Sequence, residues 1–97
     1  MYEVDKVPPT LFGEYHYVVR RKDYHNFDTW KYPARALKIS SIFDYVYFLK
    51  TTYGTAVKIE TNRSGITNKY LGLLIRFNSI EAAQELCNRC NEGVVTI

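Results

Sequence analysis

Tyr70-Leu-Gly-Leu-Leu-Ile-Arg-Phe77 decides how the rest of the chain is read. Leu71, Leu73, Ile75 and Phe77 alternate with Gly72, Leu74 and Arg76, and a period of two sends successive side chains to opposite faces of a strand. Directly after it the period changes. Asn78 or Ser79 offers a helix cap, Glu81 and Glu85 come early and Arg89 comes late, in keeping with the sign of the helix dipole. Ile80, Ala83, Leu86 or Cys87, and Cys90 recur at helical spacing, and Gly93 suits the end of that helix. Val94 to Ile97 then reads as a short closing strand.

Working back from this segment, Val57, Ile59 and Thr61 alternate with Lys58 and Glu60, a strand with one wet face. Asn62-Arg-Ser-Gly65 turns the chain between the two strands. Ser41-Ile-Phe-Asp44 opens another helix, with the serine as cap and the aspartate favourable at the positive end of the dipole. Its apolar stripe is Ile42, Val46, Leu49 and Tyr53, widened by Tyr45, and Gly54 closes it. Ala34 to Ile39 reads as a short strand feeding that helix. The order over residues 34–97 is therefore β-α-β-β-α-β, as in a ferredoxin-like domain. The predicted class is α+β: a single domain with an antiparallel sheet and two helices on one face.

Residues 14–33 add an extra N-terminal strand and an aromatic, basic loop. In the strand, Tyr15, Tyr17 and Val19 alternate with His16, Val18 and Arg20. Residues 1–13 form an extended lead-in, where Pro8 and Pro9 donate no ladder hydrogen bonds. The ferredoxin-like order resembles that of RNA-recognition domains in architecture alone. Leucines in Lys69 to Phe77 stand where that family's third strand carries its stacking aromatics, so its usual RNA platform is not expected.

A chain of 97 residues supports one core, and a hydrophobic fraction of 46% is ample to build it. Nine tyrosines suit core edges and binding surfaces alike, because each ring is apolar and each hydroxyl tolerates water. The net charge of +3 permits an anionic partner without demanding one. Two cysteines build no disulfide framework, no secretion signal opens the sequence, and no apolar run is long enough to span a bilayer. A reducing, cytoplasmic setting is expected.

The motifs that imitate catalytic or metal chemistry each lack a necessary part. Cys87-Asn-Arg-Cys90 falls near the end of its helix, whereas a redox Cys-x-x-Cys needs the helix start to lower its thiol pKa. The two thiols read as small buried hydrophobes. His16 and His25 have no paired spacing for zinc and no partner that would make either a general base. Asp23, Asp28 and Asp44 lack the dense loop spacing of a calcium site. Asn62-Arg-Ser64 matches a glycosylation acceptor by letters and reads as a hairpin loop. No nucleophile elbow, zincin motif, P-loop or dinucleotide fingerprint occurs. The expectation is no cofactor, no metal and no enzymatic activity; a small enzyme with a dispersed active site is the remotest alternative.

Charge and aromatic rings concentrate between Glu14 and Lys38. Arg20, Arg21, Lys22, Lys31, Arg35 and Lys38 outnumber Glu14, Asp23 and Asp28, for a local charge of +3 (six basic residues less three acidic ones). Tyr15, Tyr17, Tyr24, Phe27, Trp30 and Tyr32 lie among them. The candidate binding residues are Tyr17, Arg20, Arg21, Lys22, Tyr24, Trp30, Lys31, Tyr32 and Arg35. Tyr, Trp and Arg dominate protein–protein hot spots, so the leading expectation is a non-enzymatic interaction protein. In that reading it is an inhibitor or accessory factor, of the kind phages encode, docking on a nucleic-acid-handling protein. The alternative is direct binding of single-stranded RNA or DNA, where rings stack on bases and cations neutralise phosphates. A symmetric dimer through the added strand is also open, although Arg20, Arg21 and Lys22 oppose close pairing at its end.

Overall fold

The computed structural model describes residues 1–7, 14–23, 29–63 and 70–93. Within them the chain forms β1 (Tyr2–Lys6), β2 (Tyr17–Arg21), α1 (Lys31–Ala36), α2 (Ile42–Tyr53), β3 (Val57–Arg63), β4 (Tyr70–Phe77) and α3 (Ile80–Gly93). A single 3-10 turn, Gly54–Ala56, joins α2 to β3. The four strands make one sheet in the order β1-β2-β4-β3, with every neighbouring pair antiparallel. Because β2 and β3 each run against β4, they run parallel to one another with β4 between them. The helices α1 and α2 connect them, so this part is a split β-α-β unit.

The α+β class, the antiparallel sheet and the two main helices are as the sequence predicts, but two segments differ. The strand expected over 34–39 is instead the short helix α1 and the turn after it. Alternation over six residues does not separate a strand from one and a half helical turns. Pro33 sits in the first turn of α1, where no backbone donor is needed, and Ala34 and Ala36 favour helix. The turn closes through Leu37 N–H to Pro33 O (3.0 Å) and Ile39 N–H to Ala34 O (2.7 Å). The second difference is β1, part of what reads as a lead-in. It pairs with β2 from Tyr2↔Arg21 to Lys6↔Tyr17 and so occupies the outer edge of the sheet. The closing strand expected at 94–97 lies outside the described residues.

Both main helices contribute to one core. Tyr45 and Leu49 of α2, with Ala83, Leu86, Cys87 and Cys90 of α3, pack against Val19, Leu73, Ile75 and Phe77 of the sheet. Period two in β4 and helical spacing in α3 thus meet on a common surface. The α2 stripe is centred on Tyr45 and Leu49, with Ile42, Val46 and Tyr53 at its margins. Ile80 belongs to the α3 stripe by spacing but is half exposed at the helix start.

The helix ends are secured locally. Ser41 Oγ accepts from Phe43 N–H (3.2 Å) and Asp44 N–H (3.4 Å), and Ser79 Oγ accepts from Ala82 N–H (3.3 Å). Gly54 follows α2 with φ +56°, a conformation that glycine adopts without the Cβ penalty. Two helices are further bridged by Tyr53, whose hydroxyl donates to the Glu85 carboxylate, which also pairs with Arg89. No helix among the described residues is long and apolar enough to cross a membrane.

Candidate docking site

Adjacent residues of a strand face opposite sides, and this divides the basic cluster at once. Arg20 pairs with Asp5 and approaches Glu3 at 3.9 Å, both carboxylates supplied by β1. Its neighbour Arg21 lies across the ring of Tyr32, 5.2 Å from the centroid. Arg21 also grips Asp23 in a two-pronged contact of 2.8 and 3.1 Å. That contact holds the Asp23 carboxyl below its usual range. Tyr17 is half-buried on β2, opposite Phe77, and packs against the core. Lys22 is exposed just past the strand, with its N–H donating to Met1 O at 3.1 Å. Tyr24 lies outside the described residues.

The remaining candidates converge on α1. Trp30 precedes the helix, half-buried, with the Lys31 ammonium over its ring at 5.5 Å. The carbonyl of Tyr32 accepts the Tyr2 hydroxyl at 2.6 Å, tying α1 to β1. Burial raises the Tyr2 pKa to about 12, so that hydroxyl stays a donor throughout the neutral range. Arg35 is exposed in the last turn of α1, and Lys38 follows it with φ +60°. Few non-glycine residues adopt that region.

Around this short helix lie two adjoining clefts. The first, of about 540 Å³, is walled by Tyr2, Arg21, Tyr32, Arg35 and Lys38. Gly93 lies at its edge, where α3 comes so close to α1 that a Cβ there would stand 2.1 Å from Ala36 O. The second, of about 450 Å³, is walled by Trp30, Lys31, Ala34, Ile39 and again Arg35 and Lys38. Four cations (Arg21, Lys31, Arg35 and Lys38) line the pair, with no carboxylate among the described lining residues.

Comparison of the chain with protein-family models, curated proteins and solved structures returns no match. Its function is therefore read from the clefts alone.

The structure thus brings Arg21, Trp30, Lys31, Tyr32 and Arg35 together, and leaves Tyr17, Arg20 and Lys22 outside both clefts. Tyr2 and Ile39 join the site without any mark in the sequence, because the pairing of β1 and the turn after α1 carry them there. Lys38 was visible as charge but not as a turn residue. A separate feature also escaped the sequence reading: Phe43 and Tyr47, four residues apart on α2, are 67% and 72% exposed.

Cys87 and Cys90 are free and buried. Burial raises both thiols, Cys90 to about 12, the opposite of what a reactive pair requires. Among the described residues no three His, Cys, Asp or Glu side chains gather where they would hold a metal.

Proposed function

We propose that the protein is a non-enzymatic interaction protein that docks on a partner protein through the paired clefts beside α1. The observation that carries this reading is the shared wall: Arg35 and Lys38 border both clefts, and neither makes an ion pair within the described part of the chain. Arginine and tryptophan held beside concave, partly apolar surfaces are typical of the residues that anchor a protein interface. The sign of the charge also narrows the partner. An inhibitor or accessory factor of a nucleic-acid-handling protein fits when that protein offers an acidic patch, since its basic nucleic-acid groove would repel these cations.

Affinity capture from native lysate tests the reading, using the wild type, an Arg35→Ala/Lys38→Ala double variant and Tyr47→Ala. Loss of a captured protein with the double variant alone supports the site. Loss with Tyr47→Ala alone moves the interface to the outer face of α2, and retention by all three removes the clefts from the function.

Direct binding of single-stranded RNA or DNA is the second reading, favoured by rings and cations sharing one surface. An anisotropy titration at two salt concentrations separates it: affinity that falls steeply with salt indicates phosphate contacts.

A further inference from the structure

The two clefts share a boundary but differ in character, and the difference specifies what lies across them. Arg35 and Lys38 give the first cleft its charge, beside Tyr2, Tyr32 and an Arg21 that is itself paired with Asp23. Ala34, Ile39 and the Trp30 ring give the second an apolar wall, with Lys31 at its edge. A ligand satisfying both carries negative charge and an apolar side chain close together in one chain.

Backbone conformation fixes the boundary between the clefts. Lys38 sits at φ +60°, held by its own N–H to Arg35 O (2.9 Å) and by the following Ile39 N–H to Ala34 O (2.7 Å). Glycine or asparagine adopts this region more readily. The two bonds are those of a Schellman cap on α1, so the helix end itself places Lys38 on the boundary.

We infer that the paired clefts bind a short acidic peptide segment of a partner protein, its carboxylates against Arg35 and Lys38 and an apolar side chain beside Trp30, Ala34 and Ile39. The inference rests on the protein-partner reading and names the chemistry of that partner. A peptide is favoured over nucleic acid by the state of the rings. Arg21 lies over Tyr32 and Lys31 over Trp30, so one face of each ring is already covered and closed to a stacking base. An aliphatic side chain entering beside Ala34 and Ile39 displaces neither.

Trp30 is the single tryptophan of the chain, so its fluorescence reports on the second cleft directly. The probe is a synthetic peptide, Asp-Leu-Asp-Glu-Leu-Asp. It is titrated beside versions with lysine for each acid and with serine for each leucine, and beside oligouridine. The first peptide is expected to shift Trp30 emission saturably, with affinity that falls as salt rises. Arg35→Ala should weaken it about thirtyfold, the size of loss that marks a hot spot. Lys38→Gly should weaken binding while the thermal midpoint holds, because glycine relieves the strained backbone. A purely structural role for Lys38 predicts no change in affinity.

Equal binding by the lysine or serine version overturns the assignment of charge or of the apolar anchor. Tighter binding by oligouridine overturns the peptide and the protein-partner reading together. Absence of peptide binding, with a protein still captured through Arg35 and Lys38, overturns the peptide inference and leaves the docking reading standing.

Discussion

Tyr45 stands in the core with its side chain fully buried, and its hydroxyl has no hydrogen-bond partner among the described residues. Burial, with smaller contributions from Cys90, Tyr53 and Tyr2, drives its pKa well above the ordinary tyrosine value. Tyr45→Phe removes that oxygen and leaves the ring in place. An unpaired buried hydroxyl costs about 1–3 kcal/mol. The void left by one oxygen atom offsets part of the gain, at about 24 cal/mol per Å³. The net expectation is a stabilisation of about 1 kcal/mol, or about 4–8 °C in Tm for a domain of this size. Urea and thermal unfolding followed by circular dichroism measure it, with an unchanged urea slope showing that the denatured state is unaffected. Tyr53→Phe is the companion, because its hydroxyl donates to Glu85 rather than standing alone. Burial works to raise the Glu85 pKa, but the hydrogen bonds from Arg89 and Tyr53 outweigh it and hold the carboxyl below its usual range. Losing the Tyr53 donor should cost about 1 kcal/mol. The same chemical change is thus expected to have opposite signs at two positions of one helix. A Tyr45→Phe variant destabilised by 1 kcal/mol or so would refute the reasoning, since it would mean that the hydroxyl is satisfied.

Four further outcomes follow from the packing. Gly93→Ala should destabilise by about 1–3 kcal/mol, the usual range for overpacking. Its Cβ meets the Ala36 carbonyl at 2.1 Å, and backbone atoms yield less than a flexible side chain; chemical denaturation reads the loss, and a neutral result would mean that α1 and α3 separate freely. Ser41→Ala removes the acceptor for two N–H groups of α2 and should cost about 1 kcal/mol, whereas Ser41→Asp should restore most of it. Cys87 and Cys90 should resist Ellman's reagent at pH 8 in the folded protein and react at once in denaturant. Burial raises Cys90 from 9.0 to about 12 and Tyr2 from 10.0 to about 12, so the folded chain prefers both protonated. Their contribution is fully present below pH 9.0 and is lost as the pH rises toward about 12, so stability should fall across that alkaline window.

The elements with long, consistent periods were legible without tertiary information. The alternation of Leu73, Ile75 and Phe77, the Ser41 cap and the α3 stripe all appear in the structure as the spacing indicates. Each of these signals is local: a cap acts within three residues, and a face is set by repetition along one segment. The stretch over 34–39 carried no such repetition, and α1 forms there because the turn after it closes and its alanines find a place in the core.

Local periodicity, capping and composition therefore determined an α+β chain with a basic, aromatic segment between residues 14 and 38. The pairing of distant segments decided what that segment does. Arg20 and Arg21 are equivalent in the sequence, yet β1 brings Glu3 and Asp5 to Arg20, while Arg21 points toward α1 and Tyr32. Strand pairing across residues 2 to 21 turns Arg20 toward the β1 carboxylates and Arg21 toward α1, where it lies over Tyr32 while paired with Asp23, and no local pattern encodes that partition. The charge was written in the chain; which wall each cation joins was set by the strand that folded beside it.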